Sequence, residues 1–121
     1  MRAIGIILAG GNNKRMHELS NKRAISAMPV AGTFRAIDFA LSNMSNSHIQ
    51  KVAVLTQYNS RSLNQHLSSS KWWDFGRKQG GLYVFTPTIT AEHGDWFRGT
   101  ADALYQNLVF LQSSHEPYVI V

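Results

Sequence analysis

Residues 4–15 read Ile-Gly-Ile-Ile-Leu-Ala-Gly-Gly-Asn-Asn-Lys-Arg, an apolar run that ends in two glycines, two asparagines and two cations. A run of this length bounded by glycine is typical of a β-strand buried on both faces. The glycines let the backbone turn sharply and approach a ligand, because they carry no Cβ. Exposed N–H groups in such a turn attract anions, and Lys14 and Arg15 add positive charge. We therefore predict a phosphate-binding loop at the carboxyl end of a first strand.

Strand-like and helix-like segments alternate along the rest of the chain. The patterns predict strands at residues 3–8, 51–56 and 81–85, and a fourth that begins at residue 117. Apolar residues at helical spacing predict three helices. The first helix has its apolar positions at Ile37, Ala40, Leu41 and Met44. The second helix is capped by Ser60 and has its apolar positions at Leu63 and Leu67. The third helix has Thr100 as its N-cap, and its inward-facing residues are Ala101, Leu104, Leu108 and Leu111. The alternation predicts an α/β fold with a mostly parallel sheet and helices on both faces. In such sheets, ligands bind outside the carboxyl ends of the strands.

Composition limits the classes of protein to consider. The chain has 121 residues, enough for one domain or a piece of one, and 44% of them are hydrophobic. Twelve Lys and Arg against seven Asp and Glu give a net charge of +5, which suits an anionic ligand. The cations are scattered rather than clustered into the stripe that nucleic acids select. With no cysteine, no disulfide and no thiolate metal site is possible. No apolar stretch has the length of a membrane span, so we predict a cytoplasmic protein.

The glycine pair fits neither of the common phosphate-binding motifs. The P-loop requires G-x-x-x-x-G-K-[ST], and the dinucleotide fingerprint requires G-x-G-x-x-G, whereas Gly10 and Gly11 precede two asparagines. Taken alone, the stretch is as consistent with an ordinary tight turn as with a ligand loop.

Other segments make the assignment more specific. Leu-Ala-Gly-Gly at residues 8–11 is followed by Arg15, by Lys-Arg-Ala at residues 22–24 and by Pro29. Ile-Asp-Phe-Ala-Leu-Ser-Asn at residues 37–43, Val-Leu-Thr-Gln-Tyr at 54–58 and Trp-Phe-Arg-Gly-Thr-Ala-Asp-Ala at 96–103 follow. Together these strings resemble the ADP-glucose pyrophosphorylases (glucose-1-phosphate adenylyltransferases) of bacterial glycogen synthesis, almost from end to end.

The resemblance implies a Rossmann-like nucleotidyltransferase domain that joins ATP and glucose 1-phosphate and releases pyrophosphate and ADP-glucose. By matching position, the nucleotide pocket is lined by Leu8, Ala9, Gly10 and Gly11, with Gly99, Thr100 and Ala101 against adenine. Arg15 is the matching residue for neutralising the triphosphate. The resemblance also implies Mg²⁺, whose aspartate ligand is expected after the strand that begins at Pro117 and beyond Val121. Residues 1–121 are then the N-terminal portion of the domain, and its remainder and a C-terminal β-helix domain are expected outside this chain.

Three positions depart from the catalytic members of that family. Asn13 replaces a third glycine, and Ile25 replaces a pocket lysine that offsets phosphate charge. The loop at residues 86–90 offers hydroxyls where the family has a glutamine amide. With these changes, the chain is most similar to the regulatory, catalytically impaired D subunit of Gram-positive bacteria. This similarity implies that its partner is a catalytic subunit of the same enzyme and that the assembled protein is an oligomer. It also implies that the ligand is a nucleotide or a sugar phosphate. Two alternatives stay open: a fully active adenylyltransferase with substitute pocket residues, and a basic domain that binds anions or nucleic acid.

The remaining conspicuous side chains are predicted to be structural. The five histidines show no metal-ligand spacing and are assigned to surface or loops. Trp72 and Trp73, beside Phe75, are expected to pack against the edge of the sheet. Asp38 and Asp102 each fall at the start of a predicted helix, where a carboxylate interacts favourably with the helix dipole.

Overall fold

The computed structural model describes residues 2–10, 24–57, 61–68, 75, 81–86 and 98–121. The strands in these ranges are β1 (Ala3–Ala9), β2 (Pro29–Val30), β3 (Phe34–Arg35), β4 (Lys51–Thr56), β5 (Gly81–Phe85) and β6 (Tyr118–Ile120). The helices are α1 (Ala36–Asn46), α2 (Arg61–Ser68), α3 (Thr100–Gln106) and α4 (Leu108–Ser113), and a 3₁₀ turn spans Ile25–Ala27. Strands and helices therefore alternate as predicted.

Four of the described strands build a parallel sheet in the order β5-β4-β1-β6. Its centre is the opening apolar run: Gly5 of β1 lies opposite Val52 of β4 on one side and Ile120 of β6 on the other. This arrangement confirms the predicted α/β fold. The short strands β2 and β3 form a separate antiparallel pair that the sequence analysis missed, because two-residue strands show no alternation of apolar and polar positions.

Helices cover both faces of the sheet, as predicted. The core on one face joins β4 to α1 and α2, and contains Val52, Val54, Ile37, Leu41, Leu63, Leu67 and Phe75. The core on the other face joins β1 and β4 to α3, and contains Ile4, Ile6, Ala53, Leu55 and Ala103, with Leu104, Phe110 and Leu111 packed against it. Alternate residues of β1 and β4 thus enter opposite cores, which explains why both strands are apolar throughout.

Helix α1 begins where a carboxylate satisfies a free backbone N–H. Arg35 is its N-cap, and the Arg35 N–H donates to Oδ2 of Asp38 over 2.8 Å. Asp38 therefore does more than interact with the helix dipole, since it closes the first turn by a direct hydrogen bond. The helix ends at Asn46, where the sequence places a stop signal.

The last helical segment differs from its prediction. Gly99, not Thr100, is the N-cap, and the segment is divided into α3 and α4 at Asn107. Nδ2 of Asn107 donates to the carbonyl of Ala103 over 2.8 Å, a side-chain hydrogen bond of the kind that competes with helix continuation. Because of this break the predicted inward stripe is only partly correct: Leu104 and Leu111 pack against the core, but Ala101 and Leu108 are exposed.

Some predictions fall on residues outside the described ranges. They concern Gly11, Asn13, Lys14, Arg15, His17, Ser60, Trp72, Trp73, His93 and residues 87–90. Every helix that the structure describes is too short or too polar to serve as a membrane span.

Candidate functional site

A cavity of about 340 Å³ lies at the carboxyl ends of β1 and β4, beside the start of α3. The described residues of its lining come from three separate segments: Leu8, Gly10, Leu55, Gln57, Arg98, Gly99, Thr100 and Ala103. This is the edge of a parallel sheet where strand-end loops converge, and its volume falls in the range typical of small-molecule sites.

The floor of the cavity is apolar. Leu8 and Leu55 are direct neighbours in the register of β1 and β4, and both belong to the face that carries α3. Leu55 is buried, whereas 37% of Leu8 is exposed. An exposed leucine at the end of an otherwise buried strand, with Ala103 on the opposite wall, gives a surface suited to a flat apolar ring.

Gly10 and Gln57 meet at one side of the cavity. A Cβ built on Gly10 would lie 3.1 Å from Cβ of Gln57 and 3.7 Å from its Oε1. The side chain of Gln57 therefore occupies the space beside Gly10 that a larger residue would need. Glycine avoids a tight contact here, because any Cβ at residue 10 would press on Cβ of Gln57.

The start of α3 forms the opposite wall and is held by Asp102. Oδ2 of Asp102 accepts the N–H of Arg98 over 2.8 Å and Nε2 of Gln106 over 2.9 Å. Asp102 is thus fixed by residues of its own segment, and Arg98 and Gly99 are placed at the cavity by that hydrogen bond. The result supports the structural interpretation of Asp102.

The structure brings four of the predicted site residues together. Leu8, Gly10, Gly99 and Thr100 line the one cavity although they come from the two ends of the chain. The side chain of Ala9 belongs to the core on the other face, and Ala101 is exposed and absent from the lining. Gly11 and Arg15 lie outside the described residues. Their predicted roles in binding stay predictions.

Four lining residues were missed by the sequence analysis: Leu55, Gln57, Arg98 and Ala103. A signal was available for two of them. Gln57 directly follows β4, at the carboxyl end where the topology places ligands. Arg98 directly precedes the glycine that was assigned to the site.

Ile25, the residue in the lysine position, begins the 3₁₀ turn and is half-buried. The flanking alanines hold this turn against α1 and α2, since Ala24 and Ala27 are both buried in that core. A side-chain nitrogen of Arg35, Nη1, also donates to the carbonyl of Ala27 over 2.9 Å. The backbone that carries Ile25 is therefore firmly placed.

A second cavity, of about 380 Å³, lies between α1 and α2. It is lined by Thr33, Phe34, Asp38, Ser42, Ser45, Asn46 and His66. His66 contacts the carboxylate of Asp38, and only 19% of its side chain is exposed. The assignment of all histidines to surface or loops is therefore wrong for His66, because its partner is 28 residues away in the sequence. His48 and His115 are exposed loop residues, as predicted.

Metal-ligating side chains do not converge in the described part of the chain. No three residues among its His, Asp and Glu are close enough to hold an ion together. The described residues therefore do not fit a magnesium site on their own.

Comparison with known proteins gives a consistent result. The nucleotidyl transferase family matches residues 4–121. Among similar curated proteins are three glucose-1-phosphate adenylyltransferases, each aligned over 118 residues and 98% of this chain. The Clostridium kluyveri protein is 47% identical to this chain, the Thermosipho africanus protein 44% and the Halalkalibacterium halodurans protein 43%. The alignment covers 31%, 29% and 31% of the length of these proteins, respectively. The chain thus spans about a third of the length of these relatives.

Proposed function

The chain belongs to the nucleotidyl transferase family, and on that premise we propose that it forms the nucleotide-binding part of a glucose-1-phosphate adenylyltransferase. The reaction joins ATP and glucose 1-phosphate to give ADP-glucose and pyrophosphate, for glycogen synthesis in the cytoplasm. The observation that carries the proposal is that Gly10 and Gly99, from the two ends of the chain, line the same cavity. The sequence alone predicts nucleotide binding for both glycines.

Each part of this cavity has a use in binding a nucleotide. Leu8, Leu55 and Ala103 offer an apolar surface to the base. Gly10 allows the ligand to approach the backbone closely. Arg98 supplies a guanidinium at the cavity, and Arg15 is predicted to supply a second. Nucleotidyl transfer depends mainly on positioning and charge neutralisation, which is what these groups provide.

Magnesium is expected from the resemblance and would neutralise phosphate charge when bound. Since the described residues do not fit a site for it, we derive no step through the metal. The proposal concerns how this chain holds the nucleotide.

We further propose that this protein is the regulatory, catalytically impaired subunit and that its partner is a catalytic subunit of the same enzyme. Ile25 supports this. It occupies the lysine position on a turn that is well fixed by Ala24, Ala27 and Arg35. An apolar side chain at that place cannot offset phosphate charge, and losing one such contact in a dry site costs about 3 kcal/mol or more.

The test is an assay of ADP-glucose formation by the complete protein, alone and with its catalytic partner. We expect little product from the protein alone, higher activity of the mixture than of the partner alone, and a gain for Ile25→Lys alone. Ile25→Met is the matched control, since it is unbranched like lysine but uncharged. Rates typical of a catalytic subunit from the unmodified protein would instead favour the fully active alternative. Absence of ATP binding would remove the proposal altogether.

A further inference from the structure

We infer that the side-chain amide of Gln57 contacts the hydrogen-bonding edge of the nucleotide base and sets the preference for adenine. The inference rests on the proposed function, because it takes the cavity beside Gly10 as the nucleotide site. It adds a specificity-determining residue that the sequence analysis did not assign.

The position of Gln57 is fixed by its neighbour in the chain. Thr56, the last residue of β4, is fully buried, and its Oγ1 donates to the carbonyl of Phe85 in β5 over 3.2 Å. On the other side, Thr56 lies opposite Ala9 of β1 in the sheet register. Gln57 therefore leaves the sheet from a rigid point, between two strands that are both held.

The amide of Gln57 is available to a ligand. Its Oε1 lies 3.7 Å from the Cβ position of Gly10, at the side of the cavity. The amide makes no hydrogen bond to another residue in the described ranges. A half-buried amide that no described neighbour uses, at the wall of a cavity, can offer its donor and its acceptor to a bound molecule.

The chemistry of the lining singles out this residue. Among the described residues that line the cavity, those with polar side chains are Gln57, Arg98 and Thr100. A guanidinium only donates, and a hydroxyl donates and accepts through one and the same oxygen, whereas an amide presents an acceptor and a donor side by side on separate atoms. Adenine presents the complementary pair, its N6 amino group beside a ring nitrogen acceptor, and a glutamine amide pairs with such an edge through two hydrogen bonds.

The apolar floor gives the base its orientation. A flat ring lying on Leu8 and Leu55 has its faces against apolar side chains, so its polar edge points sideways. Gln57 follows Leu55 by two residues and stands beside Gly10, at the margin of that floor. A base seated there brings its edge to the amide rather than to solvent.

The inference makes a specific prediction for Gln57→Glu. A carboxylate only accepts, so it loses the match to adenine. Guanine presents two adjacent donors, N1–H and the N2 amino group, which a carboxylate accepts together. The substitution is therefore expected to shift preference from ATP towards GTP, while Gln57→Leu weakens ATP binding without favouring GTP.

The experiment titrates ATP and GTP separately into the complete protein by calorimetry, for the unmodified protein, Gln57→Glu, Gln57→Leu and the control Gln50→Glu. Gln50 is exposed and immediately precedes β4, whereas Gln57 immediately follows it, so the two residues lie about 20 Å apart at opposite ends of the strand. Gln50→Glu therefore introduces the same negative charge outside the cavity. We expect the ratio of the GTP to the ATP dissociation constant to fall at least about tenfold for Gln57→Glu. Gln50→Glu should leave that ratio unchanged.

The outcomes separate the two proposals. Suppose that the unmodified protein binds ATP while Gln57→Glu and Gln57→Leu both keep its ATP affinity and its ratio of GTP to ATP dissociation constants. In that case the role proposed for Gln57 is wrong and the proposed nucleotide site stands. If the unmodified protein binds neither nucleotide, both proposals fail. Circular dichroism of every variant checks that the fold is retained. A further variant, Gln57→Asn, keeps the amide on a shorter side chain, and it should lose ATP affinity with no gain in GTP affinity.

Discussion

Nε2 of His66 in α2 lies 2.6 Å from Oδ1 of Asp38 in α1, and both side chains are largely buried. The second oxygen of the same carboxylate accepts the N–H of Arg35, so one side chain both joins two helices and closes the first turn of α1. Arg35 continues the connection, since its guanidinium donates to Ala27 in the turn that begins with Ile25. A chain of polar contacts therefore links α2 to the lysine position.

The first prediction concerns this link. Asp38→Ala removes the helix-closing hydrogen bond and the contact with His66 together, which should lower the free energy of unfolding by about 1–3 kcal/mol. Asp102→Ala is the matched control, because Asp102 also accepts an N–H at a helix start but is less buried. Thermal unfolding of the complete protein measures both, and equal losses for the two variants would show that the contact of Asp38 with His66 contributes no more than the hydrogen bond between Asp102 and Gln106.

The second prediction concerns the packing of α1 on the centre of the sheet. A Cβ built on Gly5 would lie 2.8 Å from Sδ and 3.2 Å from Cε of Met44, and 3.4 Å from Cγ2 of Ile49. Because the displaced atoms are the flexible end of Met44, Gly5→Ala should destabilise the protein by only about 1 kcal/mol, the lower end of the usual cost of overpacking a core.

The double variant tests the cause. Met44→Ala alone leaves a gap and should be destabilising, but in the Gly5→Ala background the new methyl partly occupies that gap. The two losses should therefore be less than additive in a thermal unfolding cycle. Additive losses would mean that Met44 is not the residue displaced.

The sheet was predictable because a strand that is buried on both faces needs apolar residues at successive positions. β1 and β4 are apolar at successive positions, since neighbouring side chains enter opposite cores. The break at Asn107 was not predictable in the same way. Its cause is one side-chain hydrogen bond to Ala103, and asparagine also occurs within continuous helices.

The candidate site was predictable where backbone chemistry decides it. Gly10 and Gly99 were assigned from glycine-containing strings, and the structure places both at one cavity. His66 and Gln57 were missed for a different reason. The surroundings of both come from residues distant in sequence, Asp38 for His66 and Gly10 for Gln57.

The third prediction tests the requirement for glycine at residue 10. Gly10→Ala places a methyl 3.1 Å from Cβ of Gln57, closer than ordinary contact, so the side chain of Gln57 must shift. We expect ATP affinity to fall about threefold to tenfold, the range of one lost hydrogen bond, with little change in unfolding temperature. Gly99→Ala adds a methyl to the same cavity where no atom of the described residues lies within 4 Å, so a larger loss for Gly10→Ala would point to the contact with Gln57. Equal ATP affinity in Gly10→Ala and the unmodified protein would argue against close packing of Gln57 on the site.

The last prediction separates the charge of the site from its shape. Arg98 lines the cavity and its backbone is held by Asp102, whereas Arg61 is an exposed cation at the start of α2. Both lose one positive charge on substitution by alanine, so any difference between the variants reflects position rather than net charge. Arg98→Ala should weaken ATP binding about tenfold, because a hydrogen bond to a charged phosphate is lost, while Arg61→Ala should have little effect. Arg98→Lys should recover part of the loss, since lysine keeps the charge without the paired geometry of the guanidinium.

Calorimetric titration with ATP and with adenosine distinguishes the phosphate contact from a contact with the nucleoside. A loss confined to ATP supports a phosphate-binding role for Arg98, and an equal loss for adenosine would place Arg98 against the nucleoside instead.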